Sequence, residues 1–143
     1  MPAAKRSFEL SLLPETFAIC RLAPDAVVPE WATQGRFFSV TRTSDELSVI
    51  AEKAFVPSRL RSDASWHVLK VHGPFDFSEV GVLAAIVAPL ATAGVSVFTI
   101  STFDTDYLLV QCSQLRDALG ALRNAAHTVH ETETISSYLE RAK

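Results

Sequence analysis

Apolar and polar residues alternate along residues 8–13, near the start of the chain. A period of two is typical of a half-buried β-strand. Apolar runs at residues 17–22, 38–41 and 47–50 also have strand character, and the polar turn at residues 44–46 would join the last two into a hairpin. The first part of the chain therefore predicts strands and short turns, without a long helix.

The second part begins with a predicted strand at residues 66–71, which Gly73 and Pro74 end. A helix follows, because apolar residues recur at spacings of three and four and form one stripe: Leu83, Ile86, Val87 and Leu90. We expect Asp76 or Ser78 to cap this helix, with Glu79 completing a capping box with Asp76. Gly94 predicts its end.

Residues 95–101 and 107–110 predict a second hairpin around the polar turn at residues 104–106. Ser113 is the expected cap of a second helix, whose apolar stripe is Leu115, Ala118, Leu119 and Leu122. A short strand at residues 128–130 completes the order βαββαβ, which is the split pattern of ferredoxin-like folds.

The two parts resemble each other at an offset of 60, the difference between Phe98 and Phe38, which open the two hairpins. Phe8 and Val68 in the opening strands have the same offset. This register indicates a duplication whose first copy lacks the long helix. We therefore expect an α+β fold of tandem ferredoxin-like units. The predicted boundaries are 1–62 for a degenerate first unit, 63–131 for a complete second unit, and 132–143 for a tail or short helix.

Composition narrows the class of protein. Of the 143 residues, 48% are hydrophobic and the net charge is −3, so a core is expected and nucleic acid, which needs a basic face, is not an expected partner. No run of about 18 apolar residues predicts a membrane span, and no signal peptide is recognisable. Cys20 and Cys112 are expected to be buried thiols. These features favour a cytoplasmic protein.

Several strings in the second unit resemble the ACT-domain signature, namely FSEVGVLAAI at residues 77–86 and AGVSV at residues 93–97. The strings GPFDF (73–77), STFDTDY (101–107) and TRTSDELS (41–48) make the chain similar to small bacterial tandem-ACT proteins. That group is related to the animal cytosolic arginine sensors and to aspartate kinase regulatory domains. The resemblance implies a regulatory protein that binds a small molecule, most simply a free amino acid.

The resemblance also implies a site, because related sensors hold an amino acid between a helix start and a facing strand. The matching residues at the helix start are Val80, Gly81, Val82 and Leu83, and those at the strand end are Thr102, Phe103 and Asp104. We expect both segments to face one cleft beside a neighbouring unit. Backbone N–H groups would bind a carboxylate, and Asp104 would bind a cationic group.

Simpler interpretations of these residues remain open. Gly81 would also allow close packing of the helix on the sheet. Asp104 and Asp106 would also serve as turn residues, and Thr102 and Phe103 as cross-strand packing residues.

No catalytic constellation, phosphate loop or nucleophile elbow is visible, so we expect no enzyme activity and no cofactor. His127 and His130 are three residues apart, but no cysteine or acidic residue has the spacing of a metal site, so no metal site is predicted. The favoured hypothesis is an amino-acid sensor that acts on a regulated enzyme, either as a homodimer or with its own two units joining their sheets side by side. The alternative is an assembly module without a ligand.

Overall fold

The computed structural model describes residues 6–61 and 64–131. Contacts divide them into an N-terminal unit, Glu15–Trp66, and a C-terminal unit formed by residues 6–14 with residues 67–131. The expected boundary at residues 62 and 63 differs from this division mainly at the start of the chain, where residues 6–14 join the C-terminal unit. The expected tail at residues 132–143 lies outside the described residues.

The strands are β1 (Glu9–Leu12), β2 (Phe17–Leu22), β3 (Ser39–Arg42), β4 (Leu47–Glu52), β5 (Trp66–Val71), β6 (Val97–Ser101), β7 (Asp106–Gln111) and β8 (Thr128–His130). The α-helices are α1 (Val82–Thr92) and α2 (Leu115–Asn124). From β5 to β8 the order is βαββαβ, as the pattern predicts. No helix in the described ranges is long and apolar enough to cross a bilayer.

The sheet of the C-terminal unit has the strand order β8-β1-β5-β7-β6. The first strand of the chain lies inside it: β1 pairs antiparallel with β5, where Leu10 faces Val71, and parallel with β8, where Leu10 faces Val129. We expected this strand to belong to the first unit and to be the counterpart of β5. That expectation was wrong, because alternation predicts a strand but carries no information about its partners.

Helices α1 and α2 cover one face of this sheet. The core contains Val82, Ile86 and Leu90 from α1 and the whole predicted stripe of α2, Leu115, Ala118, Leu119 and Leu122, all buried. Leu83 and Val87 pack against it while partly exposed. Each fully buried leucine stabilises the fold by roughly 1.5–3 kcal/mol. The two helices therefore hold the sheet that positions the loops at its ends.

The N-terminal unit repeats part of this plan with the strand order β3-β4-β2. In both units the second hairpin strand, β4 or β7, lies between the first hairpin strand and the opening strand of the unit. Where α1 would stand, the N-terminal unit has a 3-10 helix of four residues, Glu30–Thr33. Its core is correspondingly small and is built from Ala18, Cys20, Ala32, Leu47, Val49, Ala51 and Val56.

Both expected helix caps were wrong. Helix α1 begins after Gly81, and no side chain caps it. Residues Asp76 and Glu79 instead close a turn, in which the Glu79 N–H donates to the carbonyl of Asp76. Helix α2 begins after Gln114, because Ser113 belongs to the preceding 3-10 turn, Cys112–Gln114.

Candidate functional site

A cleft of about 430 Å³ lies between the start of α1 and the turn of the β6–β7 hairpin. We call it the helix–hairpin cleft. Its lining residues come from the loop after β5, the first turn of α1 and the hairpin: Phe75, Asp76, Phe77, Glu79, Gly81, Val82, Leu83, Ala84 and residues 101–106. Six of the seven expected site residues are among them. The seventh, Val80, is 84% exposed and does not line the cleft.

Gly81 sets the direction in which α1 leaves the loop. Its φ is 84°, in the left-handed region that favours glycine, and a Cβ placed on it would meet nothing within 4 Å. The close-packing interpretation therefore fails, since the space beside Gly81 is open. The glycine is required by the backbone conformation.

The first turn of α1 presents backbone N–H groups at the cleft. The first helical hydrogen bond runs from the Ala85 N–H to the Gly81 carbonyl, 3.0 Å. The N–H groups of Val82, Leu83 and Ala84 precede it, and an α-helix supplies no acceptor for such groups. These three residues line the cleft. The positive end of the helix dipole lies in the same place, so this wall suits an anionic group.

The opposite wall is the turn of the β6–β7 hairpin, in which hydrogen bonds join Thr102 to Thr105. The Thr102 N–H and hydroxyl both donate to the Thr105 carbonyl, at 2.8 and 2.9 Å. The buried Thr105 hydroxyl donates to the carbonyl of Val71 on β5, at 2.7 Å. The Asp104 carbonyl accepts from the Phe75 N–H at 2.9 Å. This turn is therefore fastened to the sheet and to the loop after β5.

Two exposed aromatic rings meet across the cleft. The rings of Phe77 and Phe103 contact each other edge to face, with centroids 4.8 Å apart, although the two residues are 78% and 77% exposed. Phe103 was an expected site residue, whereas Phe77 was missed. Phe77 is the last residue of the string GPFDF, which was part of the family resemblance, but only the tertiary structure shows that its ring contacts Phe103.

The charge of the lining is acidic. Asp76, Glu79, Asp104 and Asp106 all line the cleft, and no lysine or arginine does so among the described residues. Two of these carboxylates have local partners, since Arg6 pairs with Glu79 at 2.9 Å and the Ser101 hydroxyl donates to Asp106 at 2.5 Å. Asp104 is exposed and forms no ion pair within the described part of the chain.

The comparisons agree with this architecture. A family model described as "ACT domain" matches residues 61–124, a range that contains the whole helix–hairpin cleft. A second model, of an N-terminal domain, matches residues 15–59. The two matched ranges meet near the division between the two structural units.

Curated relatives match about half of the chain. The Homo sapiens protein CASTOR3P is 36% identical over 91 residues, which cover 54% of this chain and 56% of the relative. The Homo sapiens cytosolic arginine sensor for mTORC1 subunit 1 is 33% identical over 82 residues, which cover 52% of this chain and 25% of the sensor. This chain therefore matches only part of the length of either relative.

Solved structures match most of the chain. An X-ray structure of an Agobacterium tumefaciens protein has a TM-score of 0.83 and 37% identity, covering 90% of this chain and 96% of the other. A Vibrio cholerae protein of unknown function has a TM-score of 0.68 at 21% identity, covering 84% of this chain and 91% of the other, which shows a shared fold. The family match shows that residues 61–124 form an ACT domain, and about half of the chain is related in sequence to a cytosolic arginine sensor.

Proposed function

We propose that this chain is a regulatory protein that binds a free amino acid in the helix–hairpin cleft and catalyses no reaction. The observation that carries the proposal is the pairing of two walls with opposite character. One wall offers unpaired backbone N–H groups at a helix start, and the other offers the exposed carboxylate of Asp104. A zwitterion with a second cationic group complements both walls.

The proposed binding mode follows from these walls. The α-carboxylate of the ligand accepts hydrogen bonds from the first turn of α1, where the helix dipole also favours a negative charge. A guanidinium or ammonium group pairs with Asp104, and charged hydrogen bonds of this kind are stronger than neutral ones. The faces of Phe77 and Phe103 add a cation–π attraction. Amino acids with a cationic side chain are therefore the favoured class.

The names of the curated relatives support the same class. One of the two relatives described above is called a cytosolic arginine sensor, so arginine is the first ligand to test, and the cytoplasm is the proposed location. Binding would act on a regulated partner, most simply an enzyme. The alternative, an assembly module without a ligand, draws support from the exposed Phe77 and Phe103, because exposed aromatic pairs also occur in protein contacts.

Thermal unfolding in the presence of single amino acids tests the proposal. A ligand that binds the folded state raises the melting temperature by mass action, with about 2.7 kcal/mol of stabilisation at a concentration 100 times Kd. Arginine or lysine should produce such a rise and aspartate should not. If no amino acid changes the melting temperature, the assembly module becomes the better account.

The variant Asp104→Asn tests the binding mode, with Asp117→Asn as the matched control. Both substitutions remove one exposed carboxylate, but Asp117 lies on α2 and does not line the cleft. Loss of a charged hydrogen bond costs about 1.5–3 kcal/mol, a loss in affinity of roughly tenfold to hundredfold. Calorimetric titration should show this loss for Asp104→Asn and unchanged affinity for Asp117→Asn. Equal affinities in both variants would contradict the role of Asp104.

A further inference from the structure

Three potential metal ligands meet on the C-terminal unit, and none of them lines the helix–hairpin cleft. Glu9 lies on β1, His130 lies on β8, and His72 follows the last residue of β5. The His72 N–H donates to the Glu9 carbonyl at 2.8 Å, which extends the β1–β5 ladder by one pair. β1 lies between β5 and β8. The inserted strand therefore brings residues distant in sequence to adjacent positions.

These side chains share the sheet face that the helices leave uncovered. Leu10, Val71 and Val129 are buried in the core beneath the helices. Because neighbouring residues on a strand point to opposite faces, Glu9, His72 and His130 point away from that core. Their side chains are 60%, 38% and 51% exposed. A cation can reach them from solvent.

The atoms already lie close together. One ligand atom from each side chain lies within 4.8 Å of the others. His130 Nε2 is 3.3 Å from Glu9 Oε1, and His72 Nδ1 is 3.7 Å from Glu9 Oε2. The two imidazole rings stack with centroids 5.4 Å apart. Zinc ligands at about 2.1 Å in a tetrahedron are about 3.4 Å apart, so small side-chain rotations suffice.

A neighbouring hydroxyl gives His72 a suitable orientation. Ser11 Oγ lies 2.5 Å from His72 Nε2, so Nε2 can donate to this hydroxyl while Nδ1 faces Glu9. Histidines that bind metals are ordinarily held through their second ring nitrogen in this way. A groove of about 490 Å³ beside His72 also contains Ser11 and Lys70, and it leaves room for water at open coordination positions. Lys70 is the nearby cation that opposes metal binding.

We propose that Glu9, His72 and His130 form a binding site for a divalent transition-metal cation, with Zn²⁺ as the representative ion. Two imidazoles and one carboxylate are ligands that Zn²⁺ accepts, with water completing the shell. No metal site was predicted from the sequence, because no cysteine or acidic residue has metal-site spacing from the pair His127 and His130. Here the ligands are residues 9, 72 and 130, which lie on or directly after three strands distant in sequence, and no spacing rule finds them.

Calorimetric titration of the full, tag-free chain with ZnCl₂ at pH 7.5 tests the site, since metal binding requires neutral imidazoles. The expected result is one Zn²⁺ per chain and a rise in melting temperature, because the ion would link β1, β5 and β8. Titration with CoCl₂ should produce visible absorption bands from bound Co²⁺. Absence of Zn²⁺ binding up to millimolar concentration would overturn the proposal.

Variants assign the ligands. Glu9→Gln, His72→Gln and His130→Gln should each weaken Zn²⁺ binding at least tenfold, while Asp117→Asn, which removes an exposed carboxylate on α2, should leave it unchanged. The three substituted side chains are exposed, and circular dichroism checks that each variant is folded. Zn²⁺ binding of full affinity in all three variants would place the ion elsewhere and overturn the assignment. Asp76→Asn, at a carboxylate that lines the helix–hairpin cleft but not the groove beside His72, should retain full Zn²⁺ affinity, which separates this site from the proposed amino-acid cleft.

Discussion

His67 and His127 are both buried, but their ring nitrogens have different surroundings. His127 Nδ1 accepts from the Phe8 N–H at 3.1 Å, and its Nε2 donates to the Ala85 carbonyl at 3.0 Å. His67 Nδ1 has no hydrogen-bond partner among the described residues. Burial lowers the pKa of His67, because the charged imidazolium is poorly solvated there. The ring of His127 therefore joins Phe8, which precedes β1, to α1, whereas the ring of His67 keeps a buried nitrogen without a partner in the described part of the chain.

His67 should make the protein less stable in acid. Its folded-state pKa lies below the unfolded value of about 6.5, so the unfolded state binds the proton more readily. The stability due to neutral His67 is complete above about pH 6.5 and falls as the pH decreases toward the folded pKa. Urea unfolding at pH 7.5, 6.5 and 5.5 should show a steeper loss of unfolding free energy in the natural protein than in His67→Leu. Parallel pH profiles would contradict this role.

The expectation that the start of α1 and the turn of the β6–β7 hairpin share one cleft came from the family resemblance, whereas local patterns mark only the two segments themselves. A glycine before an apolar helix and polar residues after a strand mark a helix start and a turn, and these residues line one cleft. Two details depended on tertiary structure. Val80 is outside the cleft, where its carbonyl accepts from Arg6 at 3.1 Å, and Phe77 reaches Phe103 through a loop whose course no pattern predicts. Whether the cleft residues bind a ligand stays a prediction.

At the level of elements, both helices were predicted from their apolar stripes, while their first residues were not. A capping box requires the helix to begin directly after its Asp or Ser. In α1, the chain first makes the turn at Asp76 and then uses the left-handed Gly81. The core fixes the apolar stripe of a helix, but loop geometry sets the residue at which it begins.

The glycines of the two helices provide a matched test of this difference. Gly81→Ala places a Cβ on a left-handed residue, which should cost about 1–2 kcal/mol even though the space is open. Gly120 lies within α2, is exposed, and also has nothing within 4 Å of a built Cβ. Gly120→Ala should stabilise the protein by about 0.5–1 kcal/mol, because alanine favours helix.

Urea unfolding of both variants measures the opposite signs. If Gly81→Ala has the same stability as the natural protein, the backbone requirement at this position is wrong. If Gly120→Ala lowers the unfolding free energy, the expected gain from the higher helix propensity of alanine in α2 is wrong.

At the scale of the whole molecule, the repeat could be recognised in the sequence because the strands of a hairpin are adjacent in sequence. In each unit the turn lies between two short strands, and the 60-residue offset relates β3 and β4 to β6 and β7. The opening strands do not follow that offset: β2, not β1, occupies the place of β5. The connection between β2 and β3 contains a 3-10 helix of four residues, whereas the connection between β5 and β6 contains an α-helix of eleven residues. Because the first connection is shorter, β2 and β5 are fewer than 60 residues apart in sequence.

The homodimer stays a prediction and would supply the neighbouring unit expected beside the cleft. β6 pairs only with β7 among the described strands, so its other edge is open, and Phe98 on it is 38% exposed. Open strand edges favour pairing between chains. Light scattering should give twice the chain mass of 15.6 kDa.

A charge at that edge should separate the dimer. Phe98→Lys is expected to give a monomer, whereas Phe55→Lys, at a residue 42% exposed in the N-terminal unit, should remain a dimer. A natural protein that is monomeric at tens of micromolar would contradict the prediction. Dimers of equal stability in both variants would place the interface away from β6.

The insertion of β1 has a consequence for the order of events during synthesis. The Glu15–Trp66 unit is continuous in sequence, so all of its strands are available once residue 66 has emerged from the ribosome. The C-terminal unit needs β1, made first, and β8, made after residue 127, as neighbours in one sheet. Pairing strands so far apart in sequence requires the closure of a long loop, which slows folding. During translation, β1 is therefore made before the whole Glu15–Trp66 unit, and its edges stay unpaired until β5 and β8 have also been made.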